Sequence, residues 1–299
     1  MAHLLIAFGW CTFAGFLMSM GGGGGGILVG VGHISVLGVA DPNMIKVINQ
    51  ILEVSSRLVS VPLYHRQGRL VWSLALTFGI GASMGAILGA WTSKTYLSDM
   101  RAYRGAFGVL VTFVAARVLY EGWAKGAIRN LGLRRAREAS DRIHQRVRAS
   151  GSTRLETGAH PRTVLLTPRL ARVHFGEEDF EFKPLAAAAG GFAISFVGSL
   201  VGVGGGFLTT PFMASVLLFP MYLVVGTGIV ALMIPLAISV ATYLLLKVHV
   251  DWTLVATEIP GILLGSYLGP TFNRYFNEKA LKTFVAVVLL GIGIYYIAF

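Results

Sequence analysis

The chain has 299 residues, of which 55% are hydrophobic and 13% charged, and a mean hydropathy of +0.69. Values like these exclude a soluble globular domain and indicate a polytopic membrane protein. A single cysteine, Cys11, rules out an intrachain disulfide framework, a CxxC redox pair and zinc ligation by cysteines, and the formal charge of +11 is unevenly spread.

No charged-then-apolar leader with a small-residue cleavage site precedes the first hydrophobic run, so the N-terminus reads as uncleaved. Residues 4–19 and 27–40 are two arms of one apolar segment interrupted by six glycines, Gly21 to Gly26. Each glycine costs a helix roughly 1 kcal/mol relative to Ala, so the run unwinds it. In lipid, unwound backbone survives only when it is buried in protein or lines a polar cavity. A DPN turn at Asp41 to Asn43 leads into a helix from about Met44 to Tyr64, and a short basic loop, His65 to Arg69, leads out of it. A span from about Val71 to Ala90 carries Gly81, Gly85 and Gly89 at every fourth position, the small-residue spacing that lets helix backbones approach closely. A further span covers about Gly105 to Tyr120.

A hydrophilic insert follows. Between Ala124 and Pro184 there are 13 Lys/Arg against 7 Asp/Glu, which reads as a cytoplasmic loop obeying the positive-inside rule in preference to a nucleic-acid site. Leu131 to Arg148 has the pattern of an amphipathic surface helix. The runs TVLLT, RVHF and DFEF read as short strands, with GEED as a hairpin turn. The insert is too short to bury a core of its own.

From Pro184 the first half recurs. Leu185 to Gly202 and Phe207 to Phe219 flank a second glycine break at Gly204, Gly205 and Gly206, and Met221 to Leu246 mirrors the Met44 helix. Trp252 falls 180 residues after Trp72, Gly261, Gly265 and Gly269 fall 180 after Gly81, Gly85 and Gly89, and a last span covers about Leu281 to Ala298. The expected fold is therefore an all-α polytopic membrane protein of two homologous repeats, residues 1–123 and 184–299, around a basic insert at 124–183. Each repeat is a Gly-broken helix plus three transmembrane helices. The arm after each break has about 13 residues, some 20 Å of helix, short of a hydrocarbon core of about 30 Å. Re-entrant hairpins and inverted repeats are thus favoured over a parallel arrangement with four crossings per half.

A pair of Gly-interrupted spans in matching positions points to a transporter's binding site. Helices restarting after Gly24, Gly25, Gly26 and after Gly204, Gly205, Gly206 would aim free amides at a small anion, with Thr209 and Thr210 adding hydroxyls. Close helix crossing is the competing use of such glycines. Lys46, Asn49, Gln50, Glu53, Arg57 and Ser60 follow at spacings of three or four and share one helix face, too polar to face lipid. Aligning Pro220 with Pro42 matches five of them to Val224, Thr227, Gly228, Ala231 and Pro235, so the second copy does without the charges. Asn49, Gln50, Arg57 and Thr227 are accordingly expected to bind substrate, with a structural Glu53–Arg57 ion pair as the alternative. Glu53, Glu258 and His33 are the candidates for proton coupling. No HExxH, paired intramembrane aspartates or nucleophile elbow indicates an enzyme, and neither a metal nor a cofactor is expected.

The motif GVGGGFLTTP from Gly202, the VGTG of Val225 to Gly228, the VDW of Val250 to Trp252 and the GxxxGxxxG helix resemble the TauE/SafE sulfite exporter family, also called the toluene sulfonate uptake permease family. The resemblance covers nearly all of both halves. The first half departs from it: Val31 stands where the motif has Pro, and Val47, Ile48, Asn49 replace the VGT triplet. The resemblance implies a secondary transporter of small sulfur-containing anions, such as sulfite or organosulfonates, in a prokaryotic cytoplasmic membrane. Its expected partners are the anionic substrate, the lipid bilayer and coupling protons, with homo-oligomerisation open and no nucleic acid. The rival expectation is an exporter of a cation or amino acid that uses the intramembrane glutamates.

Overall fold

A computed structural model describes residues 2–21, 25–123, 160–176, 178–272 and 278–298. Gly24, the expected amphipathic helix at 131–148 and most of the loop after residue 272 lie outside the described residues.

The first half contains α1 (Ala2–Gly21), α2 (Gly25–Val31) running on into a π-helical turn (Gly32–Val36), α3 (Pro42–Arg66), α4 (Trp72–Tyr96) and α5 (Met100–Trp123). The second contains α6 (Pro184–Val201), α7 (Gly206–Ser215), α8 (Met221–Leu245), α9 (Trp252–Phe272) and α10 (Glu278–Ala298). Among the described residues, four helices are long and apolar enough to cross a membrane: α4, α5 as far as Tyr120, α6 and α8. The chain is a polytopic, mostly helical membrane protein.

Both broken segments fold back on themselves. In the first, His3 Nε2 lies 3.1 Å from Leu37 O and Trp10 Nε1 donates to Leu28 O at 2.9 Å, so α2 runs antiparallel to α1. A Cβ on Gly32 would overlap the Trp10 indole. In the second, a Cβ on Gly190 of α6 would overlap the Phe212 ring of α7. The bulky partner sits on the outgoing helix in one hairpin and on the returning helix in the other.

The halves cross over. α4 packs on α6, where Cβ atoms on Gly81, Gly85 and Gly89 would overlap the carbonyls of Ala188, Phe192 and Phe196. α9 packs on α1 in the same manner, Gly265 against Thr12 O and Gly261 with room for a Cβ only 2.6 Å from Phe8 O. The small residues thus set the helix spacing. α3 and α8 lie against each other at the centre, and α5 pairs with α10.

The insert's described part is a three-stranded antiparallel meander: β1 (Arg162–Leu166), β2 (Ala171–Phe175) and β3 (Glu178–Phe182). It has one strand more paired than a lone hairpin, because TVLLT adds to the edge of β2. Phe175 stacks on Tyr222 at 5.9 Å, and Phe180 and Phe182 each lie 5.7 Å from Phe219, seating the sheet on the corner between α7 and α8. Thr163 Oγ1 donates to Ser73 Oγ at the start of α4. The sheet, the α3–α4 loop, the start of α6 and the α7–α8 corner therefore share one side of the molecule.

Candidate functional site

α3 begins as its sequence dictates. Asp41 Oδ1 accepts the Asn43 amide at 2.8 Å, and Pro42 occupies the first helical position, where its missing N–H costs nothing. At 100° per residue, Lys46, Asn49, Gln50, Glu53 and Arg57 fall within an arc of roughly 100°. That face is turned inward: Asn49 and Gln50 are fully buried, and Glu53 and Arg57 are only 3% and 5% exposed.

What covers this face is glycine from both halves. A Cβ on Gly26 would overlap Glu53 Oε1, and one on Gly204 would overlap Glu53 Oε2. A Cβ on Gly30 would sit 3.0 Å from Asn49 Nδ2, and one on Gly202 would lie 2.5 Å from the Lys46 Cα. Gly202 and Gly204 also carry φ of +77° and +65°, left-handed backbone that only glycine adopts without strain. The second break is therefore both shaped and spaced for α3. Gly25 and Gly206 are the first residues of α2 and α7, and Gly205 packs on Ile194.

Two buried polar pairs result, one on α3 itself and one that touches α3 through Asn49. Arg57 Nη1 donates to Glu53 Oε2 at 2.8 Å and to Glu53 O at 3.0 Å. The second pair joins residues far apart in sequence: His33 Nε2 lies 2.9 Å from Glu258 Oε1 on α9, while His33 Nδ1 lies 2.7 Å from Asn49 Oδ1. Because an amide oxygen only accepts, Nδ1 carries a proton and donates it to Asn49. Cys11 of α1 lies beside Glu258. His33 sits in the π-helical turn, where Leu37 N bonds back to Gly32 O at 2.8 Å and rotates the ring toward α3 and α9.

Several polar atoms at this centre have no hydrogen-bond partner among the described residues: Asn49 Nδ2, both amide atoms of Gln50, Glu53 Oε1 and Arg57 Nε. Buried groups left unpaired cost about 1–3 kcal/mol each, so a cluster of five such atoms on one helix face is an unusual concentration of unmet hydrogen-bonding capacity.

Three candidates point elsewhere. Lys46 Nζ donates to Leu97 O at 2.7 Å and to Asn43 Oδ1 at 3.2 Å and lies 4.9 Å over the Tyr103 ring, which binds α3 to the C-terminal end of α4. Thr209 Oγ1 donates to Gly205 O at 3.0 Å within the first turn of α7. Thr227 Oγ1 accepts the Val71 amide at 3.0 Å and so holds the α3–α4 loop. Sequence reading treated His33 and Glu258 separately and passed over Ser195 and Ser239, buried hydroxyls also without a partner among the described residues. Only their position in apolar helices signalled them.

The family model described as sulfite exporter TauE/SafE matches residues 7–296, almost the whole of both halves and the insert between them. The chain belongs to this family. TauE/SafE proteins are membrane transporters, and this chain is one. It is 23% identical over 297 residues to the probable membrane transporter protein YunE of Bacillus subtilis (strain 168), covering 97% of this chain and 95% of that one. It is 24% identical over 297 residues to a probable membrane transporter protein of Xylella fastidiosa (strain 9a5c), covering 98% and 95%. No solved structure matches it. The glycine break at 202–206 that covers Glu53 is the same GVGGGF motif on which the TauE/SafE resemblance rests.

Proposed function

We propose that the chain is a secondary transporter that exports small sulfur-containing anions, sulfite or organosulfonates, through a site between its two glycine breaks. The observation that carries this reading is the placement of Glu53, Arg57 and Gln50: all three are buried on one face of α3, glycines of both halves close on the Glu53 carboxylate, and each side chain keeps an atom without a hydrogen-bond partner among the described residues. Asn49, Gln50 and Arg57 supply donors to the anion, and the amide ends of α2 and α7, after Gly26 and Gly206, add a favourable potential. His33 and Glu258 exchange the coupling proton, and Asn49, which accepts from His33 Nδ1, holds the imidazole in place beside the site.

The two segments act as re-entrant hairpins and the halves as inverted repeats. Support comes from the contacts of His3 with Leu37 and of Phe182 with Phe219, which bring both ends of each broken segment to the same side. Three full crossings then follow each hairpin, and the basic insert lies in the cytoplasm with the α3–α4 loop. Rocking of one repeat against the other exposes the site alternately.

The cation or amino-acid reading draws on the unpartnered Glu53 Oε1. Proteoliposomes separate the two: protein-dependent efflux of sulfite or an alkylsulfonate is expected, with no efflux of rubidium or lysine. Cation or lysine efflux without anion efflux would establish the rival.

A further inference from the structure

The unmet atoms at the site are of both kinds. Asn49 Nδ2, Gln50 Nε2 and Arg57 Nε are donors, whereas Gln50 Oε1 and Glu53 Oε1 are acceptors. A simple oxyanion offers only acceptors, so it would satisfy the first three and leave the last two buried and unpaired. It would also stand beside the Glu53 carboxylate. Arg57 gives that carboxylate its partner at 2.8 Å, so the pair contributes no net positive charge with which to hold a dianion. The next cation along α3, Lys46, spends its ammonium on Leu97 O, Asn43 and the Tyr103 ring.

We propose, resting on the anion reading above, that the site selects a singly charged sulfur oxyanion bearing a hydrogen-bond donor of its own, with Gln50 and Glu53 as the selecting residues. The donor is a hydroxyl, an ammonium or an acid proton. It meets Glu53 Oε1 or Gln50 Oε1, while the sulfur oxygens meet the amide and guanidinium donors. Gln50 fits this role because it is fully buried and both ends of its amide are free among the described residues. A glutamine kept for packing alone would carry that cost without return. The same two acceptors exclude sulfate, which brings a second charge and no donor. A site that hydrogen-bonds a ligand group rejects the analogue lacking that group far more strongly than an apolar pocket does.

The test compares hydroxyethanesulfonate with ethanesulfonate, which differ by the hydroxyl alone, and with sulfate, by binding to the purified full-length protein and by proteoliposome flux. Hydroxyethanesulfonate is expected to bind at least about tenfold tighter than ethanesulfonate, and sulfate weakest. In Gln50→Met, of similar size, both sulfonates lose the Gln50 donor and bind more weakly, and the ratio of their affinities should fall below about threefold; Glu53→Gln, which removes the charge, should narrow the gap to sulfate. Unliganded melting temperatures of both variants report folding separately from the preference. Equal binding of the two sulfonates by the wild-type protein, or an unchanged preference in both variants, overturns the selection while leaving the anion reading in place. No binding or transport of any of the three overturns both.

Discussion

α3 and α8 are each 25 residues long, start at a proline-initiated corner, follow a folded-back helical pair and pack against one another, yet they are chemically unlike. α8 is one of the helices apolar enough to span a bilayer, while α3 carries Lys46, Glu53 and Arg57 within its buried face. Two polar side chains of α8 do architectural work: Thr227 holds Val71 N, and Tyr243 Oη donates to Ser199 O at 2.7 Å. A helix in this position therefore needs no charge to be stable. The charges of α3 have to be explained by what they face: Lys46 ties the helix to the end of α4, while Glu53, paired with Arg57, faces both glycine breaks.

Three substitutions, the first two each with a control, would break or sharpen that contrast. The largest effect is expected from Arg57→Gln, which leaves the Glu53 carboxylate buried without its cation; losing one partner of such a pair costs about 2–5 kcal/mol, so anion flux should fall by about thirtyfold or more. The second copy's matching residue supplies the control, since Pro235→Ala should retain flux within about threefold. If both variants transport equally well, the asymmetry between the helices has no functional content.

Next is Gly204→Ala. Its methyl would overlap Glu53 Oε2 and its φ is +65°, so unfolding stability should drop by about 2–4 kcal/mol, read as a lowered melting temperature. Gly291→Ala, in α10 with open space around it, should be neutral or stabilising by up to about 1 kcal/mol. Equal melting temperatures would mean that the break does not press on α3. The smallest effect belongs to α8: Thr227→Val removes the acceptor for Val71 N, costing about 1–2 kcal/mol of stability, with flux per folded molecule unchanged. A loss of flux without a loss of stability would instead move Thr227 into the transport machinery.

Much of the helical layout could be read from glycine and proline alone. The four-residue glycine spacing in α4 predicted a close neighbour, and Ala188, Phe192 and Phe196 of α6 are that neighbour. The polar stripe of α3 was visible as periodicity, because no lipid-facing helix tolerates it. Partnership was not visible. His33 and Glu258 stand 225 residues apart and meet only because α9 returns beside α1 and α3. Equally, the threonines after and beside the second break looked like free hydroxyls in sequence, since nothing local announces that Gly205 O and Val71 N will claim them.

The reversed fit inside the two hairpins has a consequence for how they can change. Trp10 against Gly32 and Gly190 against Phe212 are each a tongue in a slot, cut from opposite boards. Neither joint accepts the other's half: a large residue at 32 would meet the indole, and one at 190 would meet the benzyl ring. Only an exchange of both members together preserves the joinery, so drift at these four positions must travel in couples, and a chimaera spliced between 10 and 32 or between 190 and 212 will not close.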